Sequence, residues 1–254
     1  MPTTRSCPPP SSSTIWSSSS WPNDPISVRR TGSPPYASQR KILMSAYLLP
    51  VESHELAALR ARFGPAPHKH ATLTVDSPFL DGDGQMLTNR QRRAEICYIL
   101  HRGDPQEAVL LHRKTYYPPN AWRLPTGGIQ QGETVLDTLA REIEEETSFQ
   151  IEKGPHPVRI EAFLGVLSYA MFHSSEQRTH TFATWHFLVS APPNAQPVSL
   201  DPDEHLDGWG WRSIAEMGQV ADELERITAT DSRWFHWGRF RALSHRFVRR
   251  AMND

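Results

Sequence analysis

The sequence is poor in cysteine, in net charge and in long apolar stretches. Only two of its 254 residues are cysteine, Cys7 and Cys97, which is too few for a disulfide framework or a zinc site. The formal net charge is -1 at pH 7, so no overall field selects nucleic acid or a membrane surface. No apolar run reaches the roughly 18 residues that suggest a membrane span. What remains is a globular protein of one good-sized domain or two small ones.

Acidic residues are almost missing from the first 43 positions, where Asp24 is the only one and 19 residues are serine or proline. This composition cannot bury a core and predicts a disordered tail. A misassigned start, with Met44 as the true first residue, is a second interpretation. A basic, serine-rich and acid-poor start also fits an organelle transit peptide. We therefore expect a cytoplasmic protein, with an organelle as the alternative.

The pattern after Met44 is globular. The stretch Ser53–Gly64 predicts a helix that is capped by Ser53 and stopped by Gly64, and the histidines of HKH at 68–70 predict a polar loop. Asp81 and Asp83 lie in a predicted turn, because no glutamate completes a calcium-binding loop. Predicted strands follow at Ala94–Arg102, Glu107–Lys114, Ile160–Phe172 and His180–Ala191.

The last part of the chain predicts a strand edge that leads into a helix at Gly208–Met217, and an amphipathic helix at Ser232–Met252. We expect the aromatic residues of that helix to pack on the domain and its arginines to face solvent. Strands on both sides of a central helix predict an α/β sandwich with a mixed sheet. The predicted organisation is a tail at 1–43, an extension of unknown role at 44–92, a domain at 93–218 and a helical segment at 219–254.

Carboxylates are crowded at the end of the central stretch, GGIQQGETVLDTLAREIEEETSF (Gly127–Phe149). Leu136, Leu139 and Ile143 recur at spacings of three and four, which predicts a helix with one buried stripe. The carboxylate side chains that border this stripe are Glu142, Glu145 and Glu146. Like charges at these spacings repel, and one arginine, Arg141, cannot neutralise three of them. Magnesium or manganese could, since both favour oxygen ligands. A solvated acidic face is the alternative for such a run taken alone.

The spacing of the charged residues in this stretch resembles the signature of the Nudix hydrolases. Glu133 stands six positions after Gly127, and Arg141 and Glu142 follow after seven more residues. An aliphatic residue, any residue and two glutamates complete the match. The signature has a glycine near its end, and this sequence has Ser148 at that position. Because the position carries no charge, the difference affects the expected geometry of the helix end more than the expected activity. The resemblance implies a Nudix-type α/β/α sandwich and hydrolysis of a diphosphate linked to another group, usually a nucleoside derivative, with Mg²⁺ or Mn²⁺.

The resemblance also implies residue roles. The metal ligands it implies are Glu133, Glu142, Glu145 and Glu146, with Glu133 supporting the loop and binding through water. Glu142 is a ligand or the catalytic base, and Arg141 would orient a neighbouring glutamate by a charge-assisted hydrogen bond. Gly127 and Gly128 would let the backbone approach metal and phosphates closely.

Residues outside the signature are candidates for substrate contacts. Arg113 and Lys114 are candidates for a distal phosphate, and Tyr117, with Tyr116 and Trp122 nearby, for stacking on a base. Strand-end packing with solvated cations is the alternative. The acidic stretch DPDEHLDGWGW (Asp201–Trp211) offers Glu204 as a further catalytic acid or base, because its side chain is long enough to reach back from a loop; a solvated acidic loop is the alternative.

Two function classes remain. The first is a metal-dependent hydrolase of a nucleotide or another diphosphate substrate. The second is an inactive Nudix-fold binding or regulatory module, which usually loses signature glutamates, whereas all of them are present here. We expect neither a nucleic-acid nor a membrane partner, and a homodimer stays open.

Overall fold

The computed structural model describes residues 50–75, 79, 92–130, 132–227 and 232–253. The predicted tail at 1–43, the alternative start at Met44 and the predicted turn with Asp81 and Asp83 lie outside these residues. The helices are α1 (Ser53–Phe63), α2 (Val135–Thr147), α3 (Met217–Glu225) and α4 (Ser232–Ala251), and a short 3-10 helix spans Pro202–Glu204. The strands are β1 (His68–Val75), β2 (Ala94–Arg102), β3 (Val109–Lys114), β4 (Thr126–Ile129), β5 (Gln150–Ile151), β6 (Pro157–His173), β7 (Arg178–Ala191) and β8 (Leu206–Arg212).

The described strands form one eight-stranded mixed sheet in the order β1-β6-β7-β2-β3-β8, with β4 beside β2 and β5 beside β6. Strands β1 and β6 run parallel, as do β2 and β7, whereas β6 with β7 and β3 with β8 are antiparallel. The long β2, β6 and β7 are central; β2 is almost wholly buried, and β6 and β7 are buried over their middle parts. Their apolar and β-branched residues suit a sheet that is covered on both faces.

Helices cover the two faces of the sheet. Because side chains alternate along a strand, Ile96 and Tyr98 of β2 belong to one core, and Cys97 belongs to the other. Helices α1 and α2 pack on the first core, for example through Leu139, and α3 and α4 pack on the second, for example through Trp237. This is the predicted α/β/α sandwich with a mixed sheet. No described helix has both the length and the apolar character to cross a membrane.

Two local predictions near the start of the described chain were wrong. The HKH motif opens β1 instead of a loop, because β1 pairs along β6, where His68 also hydrogen-bonds Ser168 at 2.7 Å. Ser53 is the first residue of α1, and Glu52 takes the N-cap position without a side-chain hydrogen bond. Gly64 ends this helix as predicted, with φ +97°.

Candidate active site

Helix α2 presents two of its glutamates to the protein interior. Its N-cap Thr134 accepts a hydrogen bond from the backbone N–H of Asp137 at 3.1 Å. Ile143 is buried on the face that packs on the sheet, and Glu142 and Glu146 lie one turn apart beside it. These two residues are only 7% and 0% exposed. The side chain of Glu145 is more open, at 38%.

Arg141 holds three of the four predicted metal ligands together. It donates hydrogen bonds to both carboxylate oxygens of Glu133 at 2.8 and 3.0 Å, to Glu142 at 2.8 Å and to Glu145 at 3.0 Å. A further bond of 3.1 Å reaches the carbonyl oxygen of Gly128. Its hydrogen bonds to Glu133 lower the pKa of that carboxyl to about 2. The arginine therefore fixes the loop before α2 against the helix itself.

Glu146 is the fourth predicted metal ligand and lies outside the set that Arg141 holds. Its Oε2 accepts a 2.5 Å hydrogen bond from Tyr98, whereas its Oε1 has no hydrogen-bond partner in the described chain. His112 Nδ1 is 3.8 Å and Lys114 Nζ is 4.0 Å from that oxygen. Burial raises the pKa of Glu146 to about 6. Burial, and then the nearby Glu146, raise the pKa of Glu142 to about 8. Burial thus disfavours the ionised form of both carboxylates, although Lys114 and Arg123 lie near Glu146 and Arg141 lies beside Glu142.

The signature glycines make room for side chains. A Cβ on Gly127 would lie 1.9 Å from the Cγ and Cδ atoms of Glu142. A Cβ on Gly128 would lie 2.4 Å from Arg92. A side chain at position 127 would displace the buried Glu142, whereas at position 128 the flexible Arg92 side chain can move aside, so the need for glycine is stronger at Gly127. The closer approach of the backbone to metal and phosphates stays a prediction.

A cavity of about 360 Å³ opens beside these groups. Its acidic lining residues are Glu142, Glu145, Asp201, Asp203 and Glu204. Its basic lining residues are Arg92, Lys114, Arg123, Arg141 and Arg241. Tyr116 and Tyr117 also line it, and Tyr116 is 52% exposed. The cavity therefore combines oxygen ligands, cations and aromatic surface, which are the groups that a nucleotide diphosphate needs.

The structure brings most of the predicted substrate residues to this cavity. Lys114 hydrogen-bonds Glu204, and both residues line it. Arg113 does not line it; its side chain pairs with Asp207 and lies 5.3 Å from the ring centre of Trp122. The two neighbours diverge because successive side chains of β3 point to opposite faces.

Glu133 lies at the edge of the site. Its carboxylate accepts hydrogen bonds from Arg141, from Gln130 N–H at 3.0 Å and from Thr138 at 2.9 Å, and it does not line the cavity. This position suits the predicted role in supporting the loop.

Several residues of the site carried no recognisable sequence signal. Arg123 is 4% exposed although it lies in a loop, and Arg241 comes from α4, more than 90 positions after the signature. The prediction that the arginines of α4 face solvent was wrong for Arg241, which is 6% exposed and donates a 2.7 Å hydrogen bond to the buried Glu95. Only the fold brings these groups together.

Comparisons with known proteins identify a domain family. The family model of the NUDIX domain matches residues 90–238. An RNA pyrophosphohydrolase of Psychrobacter cryohalolentis is 28% identical over 139 residues, which cover 50% of this chain and 75% of the relative. Nudix hydrolase 7 of Arabidopsis thaliana is 27% identical over 121 residues, 46% of this chain and 38% of the relative.

Solved structures are similar at lower identity. The dihydroneopterin triphosphate pyrophosphohydrolase of E. coli is 16% identical with a TM-score of 0.38, over 56% of this chain and 90% of that one. An Ap4A hydrolase of C. elegans is 18% identical with a TM-score of 0.38, over 59% and 97%. Since the NUDIX domain match spans more than half of the 254 residues and includes the whole signature, the chain belongs to the NUDIX domain family.

Proposed function

We propose that this chain hydrolyses the diphosphate linkage of a nucleoside diphosphate derivative or a similar compound, with Mg²⁺ or Mn²⁺ as cofactor. The observation that carries the proposal is the buried pair Glu142 and Glu146, of which Glu142 lines a cavity that also has basic side chains in its wall. Both carboxylates have a raised pKa, and one oxygen of Glu146 has no hydrogen-bond partner within the described residues. Buried negative charge of this kind is retained where a cation compensates it.

The chemistry of the carboxylate set fits a hard divalent ion, because Glu142, Glu145 and Glu146 offer only oxygen ligands. In the described residues no three acidic, histidine or cysteine side chains already converge on one point. The reason is visible in the hydrogen bonds, since Arg141 draws Glu142 and Glu145 towards itself. These side chains would have to turn from Arg141 to hold an ion. When bound, such ions neutralise the charge of the diphosphate and lower the pKa of a bound water.

The other residues of the cavity have roles that follow from their contacts. Lys114 is a phosphate ligand in this proposal, and its hydrogen bond to Glu204 keeps that carboxylate in the cavity. We propose Glu204 as the base, with Glu142 as the alternative. Tyr116 and Tyr117 offer ring surface for a nucleobase at the same cavity. The hydrogen bond from Tyr98 fixes the orientation of the Glu146 carboxylate.

The relatives support the reaction class. The bacterial relative is named an RNA pyrophosphohydrolase, and the plant relative a Nudix hydrolase. The alternative, an inactive Nudix-fold module, is disfavoured because Glu142, Glu145 and Glu146 are all present and Arg141 bridges two of them.

A substrate panel tests the proposal. The full chain is incubated with Mg²⁺ or Mn²⁺ and with nucleoside triphosphates, ADP-ribose, dinucleotide cofactors or dinucleoside polyphosphates, and the phosphorylated products are separated. We expect metal-dependent release of a phosphorylated product from at least one class. Tight nucleotide binding without hydrolysis of any class would favour the inactive module.

A further inference from the structure

Helix α4 reaches the cavity from outside the signature. Two of its side chains, Trp237 and His245, contact the segment that leads into β4, and Arg241 lies between them in sequence. Trp237 packs on Tyr117 with ring centres 4.8 Å apart, and the ring of His245 accepts a 3.0 Å hydrogen bond from the N–H of Leu124. Arg241 lies between them and lines the cavity. The spacing of four places all three on one face of the helix.

Arg241 is anchored at one end only. Its Nη1 donates a 2.7 Å hydrogen bond to Glu95, which also accepts a 2.9 Å bond from Thr184. Glu95 pairs in register with Gly128, so this ion pair lies directly beside the glycines of the signature. The Nε of Arg241 is buried and has no partner, and its Nη2 donates no hydrogen bond to any described residue.

Arg123 is a second buried cation of the same cavity. It donates hydrogen bonds to Tyr117 at 2.7 Å, to the carbonyl oxygen of Leu124 at 3.0 Å and to Thr126 at 2.8 Å. All three acceptors are neutral or phenolic oxygens. Among the described residues no carboxylate lies within 4 Å of Arg123. A guanidinium cannot lose its proton in a protein, and Glu146 and Glu95 stabilise this charge only from beyond hydrogen-bonding distance, so Arg123 has no direct anionic partner among the described residues.

From these contacts we infer that Arg123 and Arg241 form an arginine subsite for a terminal phosphate of the substrate. This inference rests on the proposed hydrolysis of a diphosphate compound. Guanidinium groups bind phosphate oxygens through paired hydrogen bonds. The two Nη2 groups donate to no described residue, and the two guanidinium charges match a terminal phosphate, which offers three oxygens and up to two charges. A phosphate that is esterified on both sides offers two oxygens and one charge. The substrate class is therefore a diphosphate or longer chain with one unesterified end.

The test uses two ligands that differ only in that end. ADP has a terminal phosphate, whereas diadenosine diphosphate has the same diphosphate esterified on both sides. Binding of each is measured by calorimetry to the full chain in the presence of a chelator, so that neither the ion nor turnover contributes. The variant is Glu95→Gln with Arg241→Met, which removes both members of the buried ion pair and avoids an unpaired Glu95. Arg249→Met, an exposed arginine on the same helix, is the matched control.

The wild type is expected to bind ADP more tightly than diadenosine diphosphate. The double variant should lose about tenfold or more in affinity for ADP, as expected for charge-assisted hydrogen bonds, and less than about threefold for diadenosine diphosphate. Glu95→Gln alone should retain ADP binding, because Arg241 is still present and freed from its carboxylate. Thermal melts confirm that each variant is folded, and Arg123→Met provides an independent second variant with the same expected loss.

Three results would overturn the arginine subsite: no measurable ADP binding by the wild type, an unchanged affinity for ADP in both folded variants, or equal losses for the two ligands. Failure of the proposed function is a separate outcome. It would show as binding of ADP with the predicted selectivity but no metal-dependent hydrolysis of any compound in the substrate panel.

Discussion

Replacing Glu146 with glutamine is expected to stabilise the metal-free protein. Burial raises the pKa of Glu146 to about 6 from an ordinary value of 4.5. One pKa unit corresponds to about 1.4 kcal/mol, so the ionised side chain destabilises the fold by about 2 kcal/mol at neutral pH. Glutamine keeps the acceptor for Tyr98 but brings an amide N–H₂ that needs partners, which costs about 1 kcal/mol. The net expected gain in the free energy of unfolding is about 1 kcal/mol.

The destabilisation by ionised Glu146 should depend on pH. The folded pKa lies above the unfolded value, so the destabilisation is fully present above about pH 6 and disappears as the pH falls through 4.5. Urea unfolding of wild type and variant, with chelator present, measures the stability difference at pH 7.5 and its decrease at pH 5. Glu144→Gln, on the same helix, is the charge-matched control and should change stability by less than about 0.5 kcal/mol. A Glu146→Gln variant that is less stable than the wild type at pH 7.5 would refute the reasoning.

Three further predictions concern single contacts. Glu55 of α1 accepts hydrogen bonds from Arg93 at 2.9 Å and from the N–H of Val135, the first residue of α2, at 3.1 Å. Glu55→Gln should therefore lower the free energy of unfolding by about 1 kcal/mol. An unchanged midpoint of urea unfolding would show that α1 does not stabilise α2. Ser148 ends α2 with φ 62°, so Ser148→Gly should stabilise by up to about 1 kcal/mol in thermal melts, and destabilisation would contradict the left-handed geometry. Glu204→Gln should lower kcat strongly with little change in KM, and an unchanged kcat would return the role of base to Glu142.

Local patterns were sufficient to predict the elements that carry the signature. The apolar spacing predicted α2, and β2 was predicted at the bounds it has, Ala94–Arg102. The signature's glycine position put the geometry of the helix end in doubt, and Ser148 there has the left-handed conformation that glycine would favour. These features depend on residues that are close in sequence, so periodicity and helix-end chemistry are enough.

Long-range pairing explains what local patterns could not predict. β1 exists because β6 offers it a partner almost 100 positions away, and its own HKH start has no strand character. The burial of Arg241 depends on Glu95, 146 positions earlier, and the many arginines in the sequence of its helix give no sign of which one is buried. The choice between Arg113 and Lys114 as the cavity residue depends on which face of β3 meets α2, and composition does not encode this.

The most direct test of the account is the turnover of the Glu145→Gln and Glu146→Gln variants at saturating Mg²⁺, with the best compound of the substrate panel and the wild type as reference. Each substitution removes one ligand charge while the fold is retained, which thermal melts verify. A loss in kcat of about 10²-fold or more is expected for both variants. A folded variant of either kind with a near-normal rate would contradict the assignment of that glutamate, and normal rates in both would contradict the metal site itself.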